Sequence, residues 1–450
     1  MSNGTADGSA IDSRTLMQTR RTFLQTSAAA LAASAVHPLS AWQGAGDRIR
    51  LAVIGCGTRS GRVFDSLTRS GAADCRFVAA AEVNTAKLQT WMTPARQAFK
   101  LETVIDYRRV LDRKDVDAVL VATPDHSHSR ITIDAIAAGK DVYCEKPASN
   151  SIPRVNAMLD AYHKAKQVVQ IGTQQRSWDH FAAAKKILDA GTLGTITHVT
   201  IVQPGSYARP REAEQPVPPG LDWDLWQLDA PKRPFKPTRL GFRAWYAYGS
   251  GLIGDWGAHH IDVVHWFMNA DGKVPLRTSA NGEFLIVPDA DREMVPDTVS
   301  ISWVYDNFLM TFANAEIYMS DGIENWGVFF IGTRGSLQVN RQGYAVRPIV
   351  PHIVRKQGPP PPPSGSGNNR GSQPPIEGTL FVNPRGGVEE DYPLDAHTRN
   401  FLDCVKSRQK PVAHLDIGYS SALPALLALE SLAQGRTLGW DAAARTSKAL

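Results

Sequence analysis

From Ile49 onward the chain alternates short apolar, β-branched runs with stretches of helical periodicity, and this alternation constrains the fold more than any other feature. Ile49 to Ile54 reads as a strand, Arg59 to Arg69 as a helix and Arg76 to Ala81 as a second strand. Asn84 is placed to cap a helix running to about Phe99. Ala118 to Ala122 predicts the next strand, followed by a helix from about Ser129 that ends at Gly139, and Asp141 to Cys144 a further strand. Ser151 then caps a helix with Pro153 in its first turn, running to about Lys166, before the strand Val168 to Ile171. Parallel strands need crossover connections, and helices of this length supply them, so the pattern predicts an α/β fold with a doubly wound parallel sheet.

After Gly172 the rhythm changes. A helix over His180 to Ala190 and a strand over Thr197 to Val202 lead into a Trp/Pro-rich loop through Pro231 and a helix after Gly254. Longer strands follow around Val299 to Ala313 and Val328 to Val339. They are punctuated by Tyr305-Asp306-Asn307 and Gly332-Thr333-Arg334-Gly335, which suggests one large, mainly antiparallel sheet. Residues 358 to 378 hold five consecutive prolines among Gly, Ser and Asn and read as a solvated loop. Helical periodicity returns at Ala396 to Val405 and Ser420 to Ala433, and there is no internal repeat.

At 450 residues the chain exceeds what one core comfortably fills, so a leader and two domains are expected. The divisions are a signal and linker over 1–45, a Rossmann domain over 46–172, a substrate and oligomerisation domain over 173–441, and a tail over 442–450. With 43% hydrophobic and 21% charged residues it is an ordinary globular composition. The formal net charge of +5 is small and unclustered, which argues against nucleic acid as a partner. Cys56, Cys75, Cys144 and Cys404 lie far apart without metal-ligand spacing, and are expected to be buried free thiols.

The N-terminus carries Thr19-Arg20-Arg21-Thr22-Phe23-Leu24, an Ala/Leu stretch from Thr26 to Val36, and Ala33-Ser34-Ala35 as a cleavage candidate. It resembles a twin-arginine export signal, which implies a periplasmic or otherwise exported protein. Its apolar stretch is about ten residues, short of the roughly 20 that span a bilayer, so no stable membrane insertion is expected.

Gly55-Cys56-Gly57-Thr58-Arg59-Ser60-Gly61 stands between the first strand and the first helix. The first glycine permits the tight turn, the second lets the backbone approach a pyrophosphate, and the helix N-terminus offers amide donors. Ser60 takes the third fingerprint position, with Gly61 one residue late. Glu82 ends the second strand 25 residues after Gly57, where a carboxylate accepts from the adenosine ribose and repels a 2′-phosphate. The cofactor expected is NAD, with NADP admitted if Arg59 offsets that repulsion.

Thr123-Pro124-Asp125-His126-Ser127-His128 and Cys144-Glu145-Lys146-Pro147 both fall at ends of predicted parallel strands. With Gly172-Thr173-Gln174-Gln175-Arg176, the segment Gly254-Asp255-Trp256-Gly257-Ala258-His259-His260-Ile261-Asp262 and Arg399-Asn400-Phe401, they resemble the Gfo/Idh/MocA oxidoreductases over roughly residues 48 to 441. The resemblance implies a Rossmann domain followed by an α/β domain whose open sheet serves self-association, here as a homodimer or homotetramer. It makes Lys146 of the Glu-Lys-Pro tripeptide a catalytic and substrate-binding residue, meeting Asp255 and His259 beside the nicotinamide. It also assigns Thr58, Thr123, Pro124, His128 and Glu145 to the cofactor, with Gly55, Gly57, Arg59, Ser60, Glu82 and Lys146.

On a helix at about 100° per residue, Asp255, His259 and Asp262 fall within one polar stripe while His260 points away. A hydroxyl must lose its proton as its carbon loses hydride, so a neutral His259 is a suitable base, with Asp255 orienting it and Lys146 donating to the same oxygen. His260, Asp262 and His265 read as packing or supporting groups, with His260 kept among the candidate substrate contacts. Asp255, His259 and Asp262 have suitable metal-ligand types, but the nucleotide cofactor already accounts for them, so no metal is expected. Arg176 and His180 could reach substrate or bridge the domains, and His126 and His128 either border the nicotinamide or anchor loops. Trp223 and Trp226 read as core before sugar-stacking groups. The activity expected is hydride transfer between a carbohydrate or polyol carbon and a tightly bound NAD. The competing readings are a redox-neutral glycosidase or lyase working through a transient keto-sugar, and a non-catalytic sugar or nucleotide sensor.

Overall fold

The computed structural model describes residues 48–314, 326–348 and 394–450, together with the backbone of 379–382. The signal segment expected over 1–45 and the loop over 358–378 lie outside the described residues. Strands β1 (Ile49–Ile54), β2 (Cys75–Ala81), β3 (Glu102–Val104), β4 (Ala118–Val121), β5 (Asp141–Cys144) and β6 (Val169–Ile171) form a sheet in the order 3-2-1-4-5-6, parallel throughout. Leu51, Ala52 and Val53 of β1 are fully buried, as expected of a strand covered on both faces. The strand order reverses between β1 and β4, and a crevice opens there at the strands' carboxyl ends.

Three local differences from the sequence pattern bear on the site. The helix expected from Asn84 to Phe99 is two pieces, Thr85–Trp91 and Pro94–Gln97, because Pro94 has no N–H to continue the first. The Asn84 cap forms, its side chain accepting from Ala86 N at 3.1 Å and Lys87 N at 3.2 Å. The helix expected from Ser129 begins at Asp125, directly after Pro124, so Asp125 to His128 make up a helical turn at the crevice. Strand β3 and the helix Arg108–Leu111 were not foreseen, being too short to show a period.

The second sheet has ten strands: β7 (Ile196–Val202), β8 (Arg277–Glu283), β9 (Thr298–Val304), β10 (Leu309–Ala313), β11 (Gly327–Gly332), β12 (Gly335–Asn340), β13 (Gly343–Pro348), β14 (Thr379–Val382), β15 (Leu438–Asp441) and β16 (Thr446–Ala449). They run in the order 14-13-12-11-7-10-9-8-15-16, and only β7 and β10 pair in parallel. Residues 446–449, expected in a tail, are thus an edge strand paired with β15. Val299, Ile301 and Trp303 of β9 face inward while Ser300 and Ser302 face outward. The inner face is covered by helices Gly251–Phe267 and Leu415–Gln434. Phe267 stacks on Phe330 at 5.1 Å, and the Trp303 indole N–H donates to Pro424 O at 2.9 Å.

The helix Asp395–Ser407, expected with the second domain, packs instead on the first. Its Phe401, Leu402 and Val405 share a core with Leu51, Val53 and Phe64. Ser66 Oγ donates to Asp395 Oδ1 at 2.6 Å, and Arg399 and Lys406 both pair with Asp74. All four cysteines are buried and free.

Candidate active site

Gly55 has φ +91°, and a Cβ there would lie 2.8 Å from Ala122 O, so the turn out of β1 admits no side chain. A Cβ at Gly57 would meet nothing within 4 Å, so the backbone faces open crevice at the start of the helix Thr58–Gly71. No side chain caps that helix and no acid sits in its first turn, which leaves the amides for an anion. Glu82 accepts from Cys56 N at 2.7 Å and Asn84 N at 3.0 Å and lines the same crevice of about 270 Å³. These features fit a dinucleotide, with Glu82 at the ribose end.

Ser60 is fully buried and donates to Gly57 O at 2.8 Å, so it braces the loop and does not line the crevice. The tight packing falls one residue later, at Gly61, where a Cβ would lie 2.8 Å from Arg96 Nη2. Arg59 turns toward β5 and donates to Glu145 Oε1 at 2.7 Å and Gln174 Oε1 at 3.3 Å.

Thr123, Pro124, Asp125, His128, Glu145 and Lys146 line the crevice past the glycine loop. His128 bridges Thr123 O and Pro147 O, both at 2.8 Å, and so ties together the two loops that carry the Thr-Pro-Asp and Glu-Lys-Pro motifs. His126 bridges Trp226 O at 2.8 Å and Tyr248 O at 3.3 Å in the second domain, and burial lowers it to about 4. Both histidines anchor loops. Asp125 is 4% exposed, its Oδ2 has no partner among the described residues, and burial pushes it up to about 7. Sequence reasoning left Asp125 without a role, although it stands inside a quoted motif.

The helix Gly251–Phe267 carries Asp255 and His259 to a second cavity of about 320 Å³, where they meet Lys146. Lys146 Nζ donates to the Asp255 carboxylate and to Asp255 O at 3.1 Å. The other carboxylate oxygen accepts from Tyr207 and from Arg243 Nε at 3.2 Å. Burial works against this carboxylate, but Lys146, Arg243 and Tyr207 together hold it well below the usual range. Asp255 therefore orients Lys146, and no hydrogen bond to His259 exists among the described residues; the side chains share a face but the carboxylate has nearer cations. His259 is 5% exposed with Nδ1 unpartnered among the described residues. Burial first, then Lys146, Arg341 and Arg59, push its pKa well down, so it stands neutral.

Tyr207 opens the aromatic-rich loop that runs to Trp226, whereas Arg243 has no sequence signal of its own. Arg243 lies in a 3₁₀ turn, Phe242–Ala244, packed so closely that a Cβ at Gly249 would lie 2.5 Å from Phe242 O.

The two remaining substrate candidates lie elsewhere. Arg176, its side chain 5% exposed, pairs with Asp262 at 2.8 Å and Asp271 at 2.7 Å and bridges elements of the second domain. Asp262 belongs to that bridge, because the stripe turns away from the cavity beyond His259. His260 Nε2 donates to Gln203 Oε1, 2.9 Å away, and the ring stacks on Trp256. His180 contacts Asn340 O at 2.9 Å, and Trp223 and Trp226 stack on each other at 4.6 Å within a core cluster.

A glycine-loop crevice that runs into a cavity holding a paired lysine and aspartate and a neutral histidine, on a Rossmann sheet beside a large mixed sheet, defines the two-domain nicotinamide-nucleotide oxidoreductases. The chain belongs to the Gfo/Idh/MocA family within that class. Residues 49–173 match the family's NAD-binding Rossmann fold and residues 180–307 its C-terminal alpha/beta domain. It is similar to the uncharacterized oxidoreductase YrbE of Bacillus subtilis, 24% identical over 58% of this chain and 65% of that one. It is also similar to levoglucosan dehydrogenase of Pseudarthrobacter phenanthrenivorans, 30% identical over 36% of each chain. The chain thus spans less than two thirds of the length of these relatives. In fold it resembles the crystal structure of the WlbA dehydrogenase of Chromobacterium violaceum in complex with NADH and UDP-GlcNAcA. The TM-score is 0.61 and the identity 17%, over 89% of this chain and 98% of that one.

Proposed function

We propose that the protein is an NAD-dependent dehydrogenase that oxidises a carbinol carbon of a carbohydrate or other polyol. The observation that carries this reading is Lys146 held by Asp255 in the same cavity as a neutral His259, at the mouth of the nucleotide crevice. NAD, when bound, supplies the hydride acceptor. Gly55 and Gly57 with the following helix N-terminus hold its pyrophosphate, and Glu82 its adenosine ribose. His259 takes the hydroxyl proton on its free imidazole nitrogen. Lys146, fixed by Asp255, donates to the same oxygen and offsets the charge that develops as the O–H bond breaks.

Two features support NAD over NADP: the Glu82 carboxylate at the ribose position, and the engagement of Arg59 by Glu145, which turns that guanidinium away from Glu82. The reading includes export by the twin-arginine route with NAD already bound, and self-association through the outward face of the ten-stranded sheet. On that face Leu309 and Ile331, 46% and 41% exposed, flank His198 in register. The test is NADH formation over a panel of hexoses and cyclic polyols, with product analysis. A stoichiometric keto product supports the reading, and cleavage without NADH refutes it.

A further inference from the structure

Among the described residues, Glu82, Asp125 and Glu145 are the carboxylates that line the nucleotide crevice. Glu82 accepts from Cys56 N at 2.7 Å and Asn84 N at 3.0 Å, and Glu145 accepts from Arg59 Nε at 2.7 Å. Asp125 is buried, yet its Oδ2 has no hydrogen-bond partner among the described residues. A buried polar atom left in that state is costly, and the groups beside it are used elsewhere. Ser127 Oγ lies 2.7 Å from Thr123 Oγ1 and 2.8 Å from Pro124 O, while His126 and His128 bridge backbone carbonyls and are kept neutral by burial.

Lys146 lines both the crevice and the second cavity, so the reacting end of a dinucleotide belongs beside it, away from Glu82. Asp125 stands at that end, because the charges that act on it are those of Lys146, Asp255 and Arg243. Burial works most strongly against its charge and Asp255 adds to that, whereas Lys146, Arg243 and the amide at the start of its own helix favour the carboxylate. The balance leaves Asp125 at about 7, so its charged and neutral forms lie close in free energy at neutral pH. Tyr207, the remaining titratable group there, stays protonated, held up by burial and by Asp255.

Resting on the dehydrogenase reading, we infer that Asp125 is the charge partner of the nicotinamide ring and sets which oxidation state the crevice prefers: its carboxylate stabilises the cationic oxidised ring, and its neutral acid accompanies the uncharged reduced ring. A carboxylate in a poorly hydrated crevice discriminates between a charged and an uncharged ring through space, without contact. The coupling is reciprocal, so the oxidised ring favours loss of the Asp125 proton and the reduced ring favours its return. The step balances. The carbinol carbon gives up its hydride with both C–H electrons and the hydroxyl gives up a proton; as the ring's positive charge disappears, Asp125 takes up one proton, and the site as a whole keeps its charge.

The experiment exchanges the full-length protein against an equimolar excess of NAD+ and NADH at a series of pH values from about 6 to about 8.5, removes unbound nucleotide, denatures the protein and quantifies the two bound forms. The bound ratio of NAD+ to NADH is expected to rise about fivefold or more over that range, as Asp125 ionises. Asp125→Asn keeps the side-chain volume and removes the charge, so its ratio should be flat and, at the alkaline end, about tenfold below that of the wild type. Asp125→Ser is an independent variant with the same expectation, and a total nucleotide load near that of the wild type is the check on folding. A wild-type ratio that does not change with pH, or a change that persists in both variants, overturns the inference and leaves the NAD site standing. Loss of both nucleotides from both variants assigns Asp125 a structural role and overturns it as well. A wild-type protein that retains neither nucleotide sinks the NAD site itself, and the inference with it.

Discussion

Lys146, at the end of a strand in the first domain, and Asp255, inside a helix of the second, meet as a buried ion pair across 109 residues of sequence, with the lysine also donating to the aspartate's own carbonyl. Their side chains are 13% and 12% exposed, so the pair is largely desolvated and its two members are not equivalent. Removing Lys146 leaves Asp255 still served by Arg243 and Tyr207. Removing Asp255 leaves two cations facing one another.

Asp255→Ala is therefore expected to destabilise the protein by about 3 kcal/mol or more and Lys146→Ala by clearly less, since an uncompensated buried charge is the costly product. Urea unfolding of the two variants checks the order, and equal losses would refute it. Both should lower kcat/KM by about a hundredfold or more.

Stability should rise with pH across the acid range. His126, His265 and His397 are lowered to about 4 and His260 to about 3, each chiefly by burial, from an ordinary value of 6.5. Between those values the unfolded chain binds protons that the folded one refuses, so folding weakens as pH falls from 6.5 toward 4. Asp125 and Asp262, pushed up by burial to about 7 and about 6, act in the opposite sense but are outnumbered. The net slope is expected to be about 2–3 kcal/mol per pH unit. Urea midpoints that are flat or fall between pH 4 and 6 would contradict this.

Glu82→Ala removes both the ribose acceptor and the repulsion of a 2′-phosphate. The ratio of NADP to NAD affinity should rise about tenfold or more, mostly through loss of NAD binding. Fluorescence titration with each nucleotide measures it, and an unchanged ratio would mean that the carboxylate serves the loop alone.

On the proposed export with cofactor already bound, protein purified without added nucleotide and then denatured should release NAD(H) near one equivalent. Such retention calls for a Kd near 1 nM, about −12 kcal/mol. An empty protein, or a reporter fused to residues 1–45 that stays in the cytoplasm, would count against export with bound cofactor.

Leu309→Glu together with Ile331→Glu should yield monomers if the outward face of the ten-stranded sheet is buried between subunits, because the two positions flank His198 at the middle of that face. Light scattering at micromolar concentration reads the mass, and an unaltered oligomer would place the interface elsewhere.

The local sequence determined which elements form and where ligand chemistry can sit. The period change from 2 to 3.6 and the cap residues Asn84 and Ser151 marked the doubly wound half, and the glycine loop and Glu82 marked its nucleotide edge. Asp255 and His259 were assigned one face because helical spacing is fixed by backbone geometry. What that geometry cannot specify is the partner a face meets. That Asp255 holds Lys146 and not His259, that Arg176 is spent on Asp262 and Asp271, that the helix Asp395–Ser407 returns to the first sheet, and that Arg243 and Arg341 converge on one cavity were decided by the tertiary structure. A buried charge pairs with whichever counter-charge the topology brings within a few ångströms, and sequence separation carries no record of that distance.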